Sequence, residues 1–178
     1  RWAWGVRAAA AAAVLVVAWA SLTAWGAVVH GHPLYGVLLV ATLLGAAVAG
    51  WRTRRPRGAA SRRRRAAGLM LLAASLGWIA LMAWLRPFTA VEPALRALRA
   101  DALVAVAESP TEIALVPAGP RTRLGVLFQP GARVDPRAYA AVLRPLAEAG
   151  HVVVIVKQPL GIAFLSTSAL DAARREYP

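Results

Sequence analysis

The chain has 178 residues, no cysteine, 59% hydrophobic residues and a net charge of +13. Without thiols it holds no disulfide, no metal–thiolate centre and no cysteine nucleophile. The charge is uneven: residues 1–91 hold 11 arginines and no acidic residue, whereas residues 92–178 hold 10 basic and 8 acidic residues. The basic excess therefore belongs almost wholly to the first half.

That half contains three apolar stretches without an ionisable residue, Ala8–Val29, Leu34–Gly50 and Ala66–Leu85, of 22, 17 and 20 residues. About 20 helical residues cross a hydrocarbon core, so the first and third span it and the second does so with Trp51 included. Trp2, Trp4, Trp25, Tyr35, Trp51 and Trp84 fall near the ends, where interfacial aromatics belong. Ala41, Gly45 and Ala49 form a small-residue ridge that would let helices approach closely. A cleaved signal peptide is the rival reading of the first stretch; its length and the presence of two further stretches favour a span.

Eight arginines lie in 52–65, between spans two and three, and none lies between spans one and two. The positive-inside bias places that loop in the cytoplasm, and hence the His30 loop and everything after Leu85 outside it. Arg86 is a single weak vote against. A basic run also suggests nucleic acid, but this one lacks interleaved aromatics and is flanked by spans, so it reads as a topology anchor on anionic lipid head groups. Residues 1–86 are thus a membrane domain with spans of about 8–29, 34–51 and 66–85 and a cytoplasmic loop 52–65.

Residues 87–101 read as a juxtamembrane linker. Pro87 and Pro93 break the third span from the second half of the chain, and Pro93–Arg99 is a short amphipathic helix with Leu95 and Leu98 on one side and Arg96 and Arg99 on the other.

From Arg123 to Pro159 the pattern is one βαβ unit. The apolar run Leu124–Phe128 stops at Gln129-Pro130-Gly131, Asp135-Pro136 opens a helix, Gly150 closes it, and Val152–Val156 is a second strand. Tyr139, Val142, Leu143 and Leu146 predict the buried face, with Arg137, Arg144 and Glu148 mostly off it. Pro145 removes one backbone bond inside the helix. Both strands suit burial on two faces of a parallel sheet, and a turn at the carboxyl end of such a strand is where ligands sit.

These residues carry a family resemblance. Gly125–Phe128, Pro130-Gly131, Val134-Asp135-Pro136, Ala138-Tyr139, Leu146–Glu148, Gly150, Val153–Lys157 with Pro159, Ala163-Phe164 and Glu176-Tyr177-Pro178 resemble a bacterial, membrane-anchored branch of the α/β-hydrolase superfamily, from about Ala97 onward. The resemblance implies that Ala102–Ala107 and Glu112–Val116 are the first two strands, joined at Ser109-Pro110, that Leu124–Phe128 and Val152–Val156 are the third and fourth, and that residues 102–178 are the N-terminal portion of a hydrolase domain. It also implies that one oxyanion-hole N–H comes from the loop after the third strand. Pro130 has no N–H, which leaves Gly131 or Ala132 as the donor, with Gln129, Pro130 and Tyr139 supporting the loop.

The same resemblance puts the Ser nucleophile in a Gly-x-Ser-x-Gly turn after the next strand, with an acid and a His later still, all beyond Pro178. The chain reads as a fragment, inactive by itself and with an unpaired edge on the fourth strand. Ala73-Ala74-Ser75-Leu76-Gly77 is a chance lookalike inside an apolar helix, and Ser166, Thr167 and Ser168 read as a loop and helix cap. His30 and His32 flank a glycine in a short loop, and His151 enters the fourth strand as a structural residue. No metal and no cofactor is implied.

The implied activity is hydrolysis of an ester or related acyl bond at the inner membrane of a bacterium, which the Arg-for-Lys bias of a GC-rich coding sequence also suits. The implied partners are the lipid bilayer and a small ester-like substrate, not nucleic acid. Two alternatives stay open: a non-catalytic hydrolase-like binding module at the cell surface, and a membrane protein with a passive globular appendage.

Overall fold

The computed structural model describes residues 2–54 and 61–177. Three long helices come first: α1 (Trp2–His30), α2 (Leu34–Arg52) and α3 (Arg62–Trp84). Each is long and apolar enough to cross a membrane. Their surfaces agree, since Leu15, Leu22, Leu44, Leu69, Met70 and Leu71 are all exposed, an arrangement suited to lipid rather than water.

The helices run further than the apolar stretches alone suggest. Ser61 caps α3 by accepting from the Arg64 N–H, so Arg62–Arg65 form the first turn of that helix and Arg52 the last of α2. The arginine-rich segment is therefore partly helical; Arg55 and Arg57 lie outside the described residues. Trp4, Trp25, Trp51 and Trp84 are exposed, and Tyr35 is buried. The small-residue ridge does not bring helices together either: a Cβ at Gly45 would meet nothing within 4 Å.

Helix α1 is broken at Ala24 (φ −137°, ψ 24°). Beside the break Arg86 donates to Thr23, its Nη2 lying 3.1 Å from the carbonyl oxygen and its Nε 2.8 Å from Oγ1. The same guanidinium stacks on Trp19. The chain divides into two compact units at this point: Arg1–Thr23 with Gly36–Arg86, and Ala24–Tyr35 with Pro87–Pro178.

The second unit is built on four strands, β1 (Val104–Glu108), β2 (Glu112–Pro117), β3 (Val126–Phe128) and β4 (Val153–Val156), in the order β1-β2-β4-β3. β1 and β2 form an antiparallel hairpin, β2 and β4 are antiparallel, and β3 and β4 are parallel. The sheet is thus mixed rather than parallel throughout. Ser109 makes the hairpin turn, its Oγ accepting from the N–H groups of Thr111 and Glu112. β4 is paired on both sides and wholly buried; the unpaired edge expected on it lies instead on β3, which is half-buried.

Between β3 and β4 the chain passes through a 3₁₀ turn (Pro136–Tyr139) into α4 (Ala140–Glu148). Asp135 caps the turn by accepting from the Arg137 N–H, and Pro136 takes the first position. At the other end Gly150 is left-handed (φ 97°), its N–H bonding to Ala147 O while the His151 N–H reaches Leu146 O, the paired bonds of a Schellman ending.

The buried face of α4 is the expected one only in part: Leu143 is in the core and Tyr139 packs against it. Ala140, Leu143 and Ala147 point inward, whereas Val142 and Leu146 are 71% and 38% exposed. The tighter 3₁₀ entry, with about three residues per turn, rotates the helix relative to a uniform 3.6-residue period. Two alanines then let α4 lie close on a core of Val104, Ile113, Leu115, Leu143, Val153 and Ile155. The arginines expected off this face are engaged. Arg137 is buried, and Arg144 donates through Nη1 to the carbonyls of Ala97 and Arg99 and pairs with Asp101 and Glu148.

The linker holds less helix than predicted, a single 3₁₀ turn at Arg96–Leu98. Phe88 instead bridges to Val134, donating to Arg133 O and accepting from the Asp135 N–H. The last helix is α5 (Ala169–Glu176); Ser168 stands at its N-cap position but makes no side-chain cap bond.

Candidate functional site

The parallel pair β3–β4 presents two loops at its carboxyl edge, residues 129–134 and 157–162. In the first, Pro130 is buried while Gln129, Gly131 and Ala132 are exposed. The Gly131 N–H donates to the Tyr139 hydroxyl at 3.1 Å, and the Tyr139 ring packs on Phe128 with centroids 4.6 Å apart. The turn closes with Val134 N–H on Gly131 O at 3.1 Å. Its left-handed residue is Arg133 (φ 60°), as at the third position of a type II turn.

Gly131 itself needs no positive φ. A side chain is disfavoured there because a Cβ would stand 3.1 Å from the Tyr139 hydroxyl. Ala132 sits at the second position of the turn, and its N–H meets no protein acceptor among the described residues. Of the two candidate donors, one is already occupied and the other belongs to an exposed residue and has no acceptor among the described residues.

The second loop is sewn to the first. The Arg133 N–H donates to Gly161 O at 3.3 Å, and the Gly161 N–H to Gln158 O at 3.0 Å. Gly161 (φ 66°) comes so close that a Cβ would lie 2.7 Å from Arg133 N, and Leu160 is also left-handed (φ 56°). Two non-glycine residues in this region, in adjoining loops, mark stored backbone strain of the kind that gathers at functional sites.

Several residues here have partners or burial that the sequence did not reveal. Asp135 is 1% exposed and saturated: it accepts from Arg137 N, Nε and Nη2 and from the Ala90 N–H. It fixes the loop and is not a reacting acid. Gln158 is 4% exposed with neither side-chain polar atom partnered among the described residues. Lys157 is buried with Nζ 2.7 Å from Glu108 Oε1, and His30 Nδ1 lies 3.1 Å from the same oxygen. Burial works against ionisation of Glu108, but the Lys157 ammonium and then His30 outweigh it and hold the carboxyl below its ordinary range. One signal for this cluster was available, since Lys157 is the only lysine among 21 basic residues.

The remaining sequence candidates do not converge on this edge. His151 Nδ1 lies 2.7 Å from Thr122 Oγ1 and 3.1 Å from Leu124 O, a loop tie. His32 Nδ1 accepts from the Leu34 N–H at the start of α2, and burial lowers its pKa. Ser75 Oγ bonds back to Leu71 O inside α3. Ser166 ends a 3₁₀ turn and Ser168 precedes α5, and neither bonds a histidine among the described residues.

Comparison with known families matches residues 125–178 to the alpha/beta hydrolase family. That segment runs from the residue before β3 through both loops to the end of α5, so the hydrolase resemblance covers the carboxyl-edge turn itself. Neither the curated proteins nor the solved structures give a match.

Proposed function

We propose that the protein is a membrane-anchored serine hydrolase of the α/β-hydrolase family that cleaves an ester or related acyl bond, with Ala132 N–H as an oxyanion donor. The observation that carries this reading is the unpaired Ala132 N–H in a strained turn at the carboxyl end of β3, inside the family-matched segment. A preorganised N–H of this kind stabilises charge that develops on a carbonyl oxygen. Gly131 holds the turn through Tyr139, and Gln129 and Pro130 lead the strand into it. The nucleophile would stand in a Gly-x-Ser-x-Gly turn, a pattern absent from these 178 residues. The arginine-rich segment sets the orientation, with the sheet outside the cytoplasm of a bacterial cell.

The test is Ala132→Pro in the full-length protein. Proline fits the second position of a type II turn, so the substitution removes the N–H while keeping the backbone path. Turnover of an activated ester should fall by roughly 10²–10³ in kcat with KM little changed, the scale of losing one oxyanion donor. A folded Ala132→Pro protein with full turnover, or a parent protein that neither hydrolyses esters nor labels with a fluorophosphonate, would refute this function.

A further inference from the structure

The three-helix unit holds an open cavity of about 1560 Å³, larger than the roughly 300–1,000 Å³ that accommodate drug-sized ligands. Its walls are small or apolar, with Ala9 and Ala13 from α1, Ala41 and Gly45 from α2, and Gly68 and Leu72 from α3. Along α3 it runs from Arg64 to Ile79, roughly 22 Å at 1.5 Å per residue, more than half of a hydrocarbon core about 30 Å thick.

One end differs in kind. Arg52, Arg64 and Arg65 line it, and residues 1–91 contain no carboxylate to neutralise them. Arg64 and Arg65 stand in the first turn of α3, where the positive end of the helix dipole disfavours cations and favours an anion. Three clustered guanidinium groups at one end favour an anion there, and the small and apolar walls favour a hydrocarbon along the rest.

We infer that this cavity binds a single anionic phospholipid, its acyl chain along the small-residue walls and its phosphate among Arg52, Arg64 and Arg65. A purely apolar ligand leaves three guanidinium groups unused, and a free phosphate leaves an apolar channel empty. An anionic amphiphile matches both ends, and Arg is suited to phosphate oxygens. The inference rests on the proposed membrane reading, because the helices must lie in a bilayer for such a lipid to reach the site.

The experiment uses the protein extracted from membranes in mild detergent and examined by native mass spectrometry with equal amounts of phosphatidylglycerol and phosphatidylcholine. One phosphatidylglycerol should be retained per chain in preference to phosphatidylcholine. Replacing Arg52, Arg64 and Arg65 by Gln should lower retention by roughly tenfold or more, as expected when charge-assisted bonds to a phosphate are lost. The five arginines left in 52–65 keep the topology signal. Gly45→Leu should lower retention too: its side chain enters open space, so it fills the cavity without disturbing packing. Inorganic phosphate should not compete. Equal retention of the two lipids, retention unchanged by Gly45→Leu, or displacement by phosphate would each overturn the site. A chain washed off membranes by carbonate overturns the membrane reading with it, whereas one that stays in the membrane fraction and retains no lipid overturns the site alone.

Discussion

The Tyr139 hydroxyl accepts the Gly131 N–H at 3.1 Å. This bond joins the first helical turn after β3 to the loop that leaves β3. It also separates two backbone donors that the sequence leaves equivalent: Gly131 is spent on holding the loop, while the Ala132 N–H has no protein acceptor among the described residues. Tyr139→Phe keeps the ring contact with Phe128 and removes only the hydroxyl. It should cost about 0.5–1.5 kcal/mol of stability, the net worth of one hydrogen bond, and lower kcat by much less than Ala132→Pro. Thermal melting and ester turnover measured on both variants check this ordering; an equal or larger kcat loss for Tyr139→Phe would show that the Ala132 N–H is not the main donor.

Asp135 and Arg137 form a buried pair, with Nη2 2.7 Å from Oδ2. Arg137 is packed so closely that a Cβ at Gly26 would lie 2.6 Å from its Nη2. Removing one partner leaves the other charged and desolvated, so Arg137→Met should destabilise the sheet unit by about 3–5 kcal/mol. Adding Asp135→Asn should restore part of that loss, because the orphaned charge is gone. Unfolding measured on the two single variants and the double gives the coupling; strict additivity would show that the pair is not a unit.

The fold was legible where local chemistry decides. Asp135-Pro136, Gly150 and the run Val152–Val156 located the first helical turn, the helix end and the flanking strand within a residue or two, since caps and β-branched runs act at short range. What failed was rotation. Nothing local distinguishes Leu143 from Leu146, and the 3₁₀ entry at Pro136–Tyr139 turned Leu143 inward and left Leu146 at 38% exposure. The buried arginines were hidden for the same reason, because their acceptors (Asp135 and the carbonyls of Ala97 and Arg99) are placed by tertiary packing. The candidate turn was legible as a motif, but its free donor was not, because Tyr139 decides it through space. Leu143→Ala should therefore cost about 2–5 kcal/mol, the usual cost of emptying a core site, and Leu146→Ala clearly less. Denaturant midpoints for the two variants should differ in that order.

Two glutamates give opposite slopes of stability with pH. Glu108 is held below its ordinary value by Lys157 and His30 against the effect of burial, so the folded state binds its proton less readily than the unfolded chain. Its contribution is present above about pH 4.3, the ordinary glutamate value, and fades as pH falls through the lower folded value. Glu112 is raised, first by burial and then by repulsion from Glu176, against a hydrogen bond from Tyr177. Its contribution is present below about pH 4.3 and is lost as pH rises through the raised value. At about pH 7, Glu108→Gln should lower the melting temperature and Glu112→Gln should raise it. Both differences should shrink on acidification through the two carboxyl values, and shifts of the same sign at neutral pH would contradict the assignment.

The proposed orientation rests on eight arginines within 52–65, from the end of α2 to the first turn of α3, against none between α1 and α2. Arg86, the one charge that votes the other way, is committed to the Thr23 carbonyl at the break in α1 and to the Trp19 ring, so its position answers a packing need and carries little topological weight. An alkaline-phosphatase fusion after Pro117 should be active in cells and one after Arg65 inactive. Arg86→Gln should leave that pattern unchanged while weakening the helical unit, since it removes the bonds to Thr23 and the contact with Trp19. The inverse activity pattern would place the sheet in the cytoplasm, and a pattern that flips with Arg86→Gln would show that this residue, rather than the arginine cluster, sets the orientation.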